Sequence, residues 1–259
     1  MYLLWLLFIV SGCRQDSERT CQGEYIVRLH DEYALAEHPH EQIVQKPYPW
    51  QAGIGPVRAI TKEYFRCKGN SLNPPNIIVK DGKEINRFYD CSGADKHSLP
   101  LRDGKEFIYP ILITLLNHIQ KVSGKNVIIS SGHRCIAHQA FMDPSPKGSA
   151  SKHLTGAEVD FYVQGLEDQP LKVIQMIMDY YKDDAKEYKV FQRFDKNTDV
   201  STAPWLNKEI FIKLFTRGEG RNFDNRHPYP YISLQVRFDR EKNEKVVFSP
   251  EQAQGLLRK

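Results

Sequence analysis

Ser131-Gly132-His133-Arg134 and Ser151-Lys152-His153-Leu154-Thr155-Gly156-Ala157-Glu158-Val159-Asp160 sit within one stretch, 129–163, whose pattern sets the architecture. Just upstream, Asn126-Val127-Ile128-Ile129-Ser130 is a short apolar run that reads as a buried strand. Downstream, Ala157, Val159, Phe161 and Val163 alternate with Glu158, Asp160 and Tyr162, which is the period of a strand. The apolar set faces a core, so Asp160 on the other face directs its carboxylate into a cleft. His153 ends a loop, and it meets Asp160 at one point if Gly156 turns the chain between them. One imidazole, one carboxylate and a further imidazole, with a fourth position open, form the donor set of a catalytic zinc site. Gly132 permits a tight strand exit, and Arg134 carries a guanidinium fork suited to a substrate carboxylate.

Working outward, Phe107, Ile111, Leu115, Ile119 and Val122 recur at helical spacing, and Gly124 stands where that helix ends. Residues 171–181 read as an amphipathic helix and 208–215 as a shorter one. Residues 229–238 read as a strand with Ile232, Leu234 and Val236 on one face, and 245–248 as its hairpin partner. Helices beside strands that pair antiparallel give an α+β class, a small antiparallel sheet flanked by helices. Residues 13–101 are polar and turn-rich, with strand-like pieces at Tyr25-Ile26-Val27 and Asn76-Ile77-Ile78-Val79. They read as an N-terminal extension wrapping a domain at 102–259.

The 259 residues carry 41% hydrophobic and 26% charged side chains, so wholesale disorder is excluded. Net charge is only +4 and no basic patch is clustered, which argues against a nucleic-acid partner. The one strongly apolar run, Tyr2 to Val10, is too short to span a bilayer. It ends in Val10-Ser11-Gly12-Cys13, an apolar segment followed by small residues, as in a secretory signal. Cys21, Cys67, Cys91 and Cys135 remain beyond it, an even number that suggests disulfides in an exported chain. Cys67 with Cys91 is the preferred pair, since each borders a turn. No CxxC spacing occurs, which speaks against a thiolate zinc site.

Two resemblances follow from these residues. Val10-Ser11-Gly12-Cys13 resembles the bacterial lipoprotein box, which implies cleavage after residue 12, acylation of Cys13 and a membrane held through acyl chains in the cell envelope. The Ser-Gly-x-Arg and Ser-x-His-x-x-Gly-x-x-x-Asp elements resemble the zinc D-alanyl-D-alanine carboxypeptidases and related endopeptidases, which share a fold with the hedgehog signalling domain. His133 stands where that family usually has Tyr. The resemblance implies zinc held by His153 and Asp160, with Arg134 and Ser151 binding substrate. It also implies a late third ligand beside an acidic base. Asp224-Asn225-Arg226-His227 offers that acidic-x-x-His spacing, so His227 is expected as ligand and Asp224 as catalytic base, with Arg134 either clamping a substrate carboxylate or stabilising the oxyanion. Aligning on the following strand instead places Tyr231 or Ser233 there. The expected activity is hydrolysis of amide bonds in peptidoglycan stem peptides or cross-links. The alternative is a non-catalytic peptidoglycan-binding lipoprotein on the same fold. His133 reads equally as a core imidazole or a cleft residue, and His138 as structural.

Overall fold

A computed structural model describes residues 57–93, 97–195 and 199–253. The leader with Cys13, Cys21 and the strand-like piece at 25–27 lie outside the described residues. In chain order the strands are β1 (Asn76–Lys80), β2 (Lys83–Phe88), β3 (Leu101–Arg102), β4 (Lys105–Glu106), β5 (Val127–Ser131), β6 (Glu158–Val163), β7 (Gln192–Arg193), β8 (Trp205–Leu206), β9 (Ile210–Phe215), β10 (Tyr231–Val236), β11 (Phe238–Asp239) and β12 (Glu244–Lys245). The helices are α1 (Pro110–Ser123), α2 (Ile136–Met142), α3 (Pro170–Tyr180), α4 (Lys186–Lys189) and α5 (Pro250–Ala253). Among the described residues no helix is long and apolar enough to cross a membrane.

Six strands form one antiparallel sheet in the order β5-β6-β10-β9-β8-β7, so the class is mixed α+β. Strand alternation divides its central strands into two faces. Val159, Phe161, Ile212, Ile232, Leu234 and Val236 point to one side, where α1 and α3 cover them with Leu112, Leu115, Leu116, Ile119, Val173, Ile174 and Ile177. Ile60, Phe65 and Leu99, from the segment before 102, belong to this same core. Pro110 fits the first turn of α1, where its missing N–H costs no bond, and Gly124 closes the helix in the left-handed region at φ 65°.

The other face carries polar side chains. Ser131, Asp160, Ser233 and Lys213 fall in one cross-strand row, because Asp160 pairs with both Ser131 and Ser233, and Ser233 with Lys213. A register shift in β5 between Ile129 and Ser131 leaves Ser130 as an extra residue, a bulge that re-aims the strand end next to this row.

Three expectations need correction. Residues 208–215 do not make a helix. Ile210, Ile212 and Leu214 alternate with half-buried Phe211 and Lys213, and β9 pairs along its whole length with β10. A short apolar run fits either period, and here the tertiary pairing decides it. The hairpin expected at 245–248 shrinks to β11 with β12, where Phe238 pairs with Lys245 and Asp239 with Glu244. Helix α1 starts at Pro110, which excludes Phe107, and Val122 faces solvent.

Gly156 has a specific reason to be glycine. Its φ is +69°, and a Cβ there would lie 2.9 Å from the Phe107 carbonyl oxygen and 2.9 Å from the Pro100 ring. Gly156→Ala is therefore expected to destabilise the fold by about 1–3 kcal/mol. Urea unfolding of the variant measures this; an unchanged midpoint would show that the turn between His153 and β6 relaxes freely.

Candidate metal centre

His153 sits in a single 3-10 turn, Lys152–Thr155, that carries the chain from a loop into β6. Ser151 caps this turn, its hydroxyl accepting from the His153 N–H at 3.3 Å. The expected substrate residue Ser151 thus orients His153, while also lining the cavity. The His153 Nδ1–H donates to the Gly132 carbonyl at 2.7 Å. That bond fixes the orientation of the ring and turns Nε2 the opposite way, as in imidazoles whose other nitrogen binds a metal.

Nε2 faces two carboxylates. Asp160 Oδ2 is 3.5 Å away and Glu158 Oε1 is 3.7 Å away. One donor atom from each of the three residues lies within 4.8 Å of the others. Donors bound about 2.0–2.1 Å from a tetrahedral zinc stand roughly 3.4 Å from one another. The spacing fits a shared divalent ion, and two buried carboxylates this close repel each other without a cation between them. The trio lies at the wall of a cavity of about 450 Å³, which Arg134, Lys152, Lys213, Ser233 and Gln235 also line. The donor chemistry therefore fits a metal with one side open to small molecules.

Surrounding groups hold the carboxylates in place. Ser233 Oγ and Gln235 Nε2 both donate to Glu158 Oε1, at 2.9 and 2.7 Å. Asn225 Nδ2 donates to Asp160 Oδ2 at 3.2 Å, and Asn225 is itself fixed by the Ser130 hydroxyl. Burial alone would raise the Asp160 pKa, but His153, Arg134 and the Asn225 amide hold its carboxyl below the usual range. Arg134 reaches the cavity with Nη2, 3.6 Å from Asp160. Its Nε donates to Ser131 Oγ and Asp224 Oδ2, and Nη1 to Gln139.

The late residues expected to complete the site sit elsewhere. His227 does not join the trio and does not line the cavity. Its ring packs 4.7 Å from Tyr162 and 5.9 Å from Tyr231, and neither nitrogen has a hydrogen-bond partner. Burial and the Arg221 charge push its pKa down to about 4, so it is a neutral ring. His227 lies outside the sheet, because β10 begins only at Tyr231. Pro228 and Pro230 lack the N–H that would extend the strand ladder back to residue 227.

Asp224 is also corrected. It is buried and outside the cavity, engaged by Ser131 Oγ, Arg134 Nε and His138 Nε2 at 2.9, 3.2 and 3.2 Å. Burial opposes its ionisation, but His138, Arg134 and Ser131 hold it far below the carboxylate range. A carboxylate so fixed takes no proton near neutral pH. Tyr231 donates its hydroxyl to the Gly220 carbonyl and stacks on Phe215, a wall residue.

His133 is a core imidazole. It is buried, bonded through Nδ1 to the His153 carbonyl, and pushed down to about 4 by desolvation. His138 is structural but charged, held between Asp90 at Nδ1 and Asp224 at Nε2. The residues that sequence reasoning missed are Glu158 and Asn225. Glu158 shares strand parity with Asp160, which was the available signal; Asn225 carried none.

Comparison of the chain with protein families, with curated proteins and with solved structures gives no match.

Proposed function

We propose that this cavity is the active site of a zinc-dependent peptidase acting on amide bonds of peptidoglycan stem peptides or cross-links, on a hedgehog/D-alanyl-D-alanine-peptidase-like fold. The convergence of His153, Glu158 and Asp160 at an open cavity carries the reading. In this reading Glu158 takes the ligand role expected of His227. A zinc ion held by His153, Glu158 and Asp160 would supply Lewis acidity toward a carbonyl oxygen and water.

The chain's own groups do the rest. Both hydrogen bonds to Glu158 fall on Oε1, which leaves Oε2 to take the proton of the attacking water and return it to the leaving amine. Arg134 Nη2 donates to the carbonyl oxygen as negative charge develops there, held by the bonds that Nε and Nη1 make behind it. Lys213, beside Asp199, adds positive charge to the wall where a stem-peptide carboxylate enters. Acyl chains on Cys13 would keep the domain at the envelope membrane, next to that polymer.

One observation favours the second reading, a non-catalytic peptidoglycan-binding lipoprotein. Asp224 is locked away from the cavity, and a serine, Ser233, stands opposite Asp160. Digestion of purified peptidoglycan separates the two. The peptidase reading predicts zinc-dependent release of alanine or free stem peptides, abolished in His153→Ala. Binding to peptidoglycan with no release would overturn it.

A further inference from the structure

Away from the cavity, three cysteines converge from segments far apart in the chain. Cys67, Cys91 and Cys135 are buried, and their sulfurs lie within 4.8 Å of one another. Cys67 Sγ and Cys91 Sγ are 3.6 Å apart, and all three thiols are free, so the expected Cys67–Cys91 disulfide is not present. Thiolates at ~2.3 Å from a tetrahedral zinc stand roughly 3.8 Å apart, close to the 3.6 Å between Cys67 Sγ and Cys91 Sγ. Spacing along the sequence concealed the group, because each sulfur comes from a different loop.

The surroundings are built for close approach. A Cβ on Gly69 would lie 2.2 Å from Cys91 Sγ, so only glycine lets the 68–70 turn lie over that sulfur. The Cys135 sulfur accepts from the His138 N–H at 3.3 Å. His97 also has a buried Nε2 with no hydrogen-bond partner. His138, by contrast, is not a free donor, since both its nitrogens already face carboxylates. An odd number of thiols also matters. One disulfide would leave a third buried thiol unpaired beside it, whereas one soft cation engages all three.

We infer that Cys67, Cys91 and Cys135 hold one zinc ion, and that this ion staples the segment before residue 102 to the loop carrying Arg134. Binding releases the thiol protons, so occupancy rises with pH. Because Cys135 directly follows Arg134, the staple fixes the backbone from which the cavity's guanidinium projects. The site is independent of the cavity metal and does not require the protein to be a peptidase.

The test uses the full chain purified without chelator. A mercurial thiol reagent is expected to release one equivalent of zinc, and cobalt-substituted protein to show a sulfur-to-cobalt charge-transfer band in the near ultraviolet. His153→Ala keeps that band, and Cys135→Ser abolishes it. The wild-type measurements decide the matter even if Cys135→Ser does not fold. A mass two hydrogens lighter, mapping to a disulfide among these cysteines, would overturn the inference, as would mercurial treatment that releases no metal.

Discussion

Glu158→Gln is expected to weaken zinc binding at the cavity by at least about 100-fold while the protein stays folded. Loss of a metal's outer supports alone costs about 10–100-fold, and loss of a direct anionic donor costs more. The amide keeps the shape of the side chain and an oxygen that accepts from Ser233 and Gln235, so packing survives. What is lost is a negative charge facing His153 Nε2 at 3.7 Å. His227→Ala makes the opposite case. That ring packs against Tyr162 and Tyr231, so its removal lowers stability and leaves zinc affinity unchanged. Calorimetric zinc titration, with the buried thiols already blocked, reads both variants. Equal affinity in Glu158→Gln and wild type would remove Glu158 from the site.

Removing the His138 imidazole is expected to be the most damaging single change to stability. Asp90 and Asp224 flank it on opposite sides, and it is buried. Breaking a buried ion pair by deleting one partner costs about 3–5 kcal/mol, because the remaining charges stay buried without compensation. The same arrangement sets a pH dependence. Burial alone would lower the His138 pKa, but Asp224 and Asp90 more than reverse this and raise it to about 9. A raised folded-state pKa means stability that is complete below the unfolded value of about 6.5 and fades as pH rises through about 9. The loss is on the order of 3 kcal/mol. Urea unfolding from roughly pH 6 to pH 10 is expected to show this decline in the wild type and its absence in His138→Gln. Parallel pH profiles for the two proteins would mean that His138 is neutral when folded.

The sequence was most informative where one strand period governs both packing and chemistry. In β6 the alternation of Val159 and Phe161 with Asp160 gave the strand, the core face and the cavity face together. The ligand pair His153 and Asp160 was legible because one turn and one strand supply both. The third donor was not. Glu158 stands two residues before Asp160 on the same face of β6, but the acidic-x-x-His spacing at 224–227 competes with it, and only the folded chain shows which of the two reaches His153. Asp224 and His227 had the right spacing, but two prolines end the strand before them. The buried Arg134–Asp224–His138–Asp90 chain and the thiol cluster were hidden for a related reason: their members come from loops that only the folded core brings together. β9 was hidden because its run of apolar residues suits both periods, and pairing with β10 settles the choice.

Diffraction at the zinc absorption edge, from crystals of the full chain grown with zinc, bears most directly on the cavity site. An anomalous peak about 2.0–2.2 Å from His153 Nε2 and from oxygens of Glu158 and Asp160 is the expected result. A peak ligated by His227 in place of Glu158, or a cavity without any peak at saturating zinc, would contradict it.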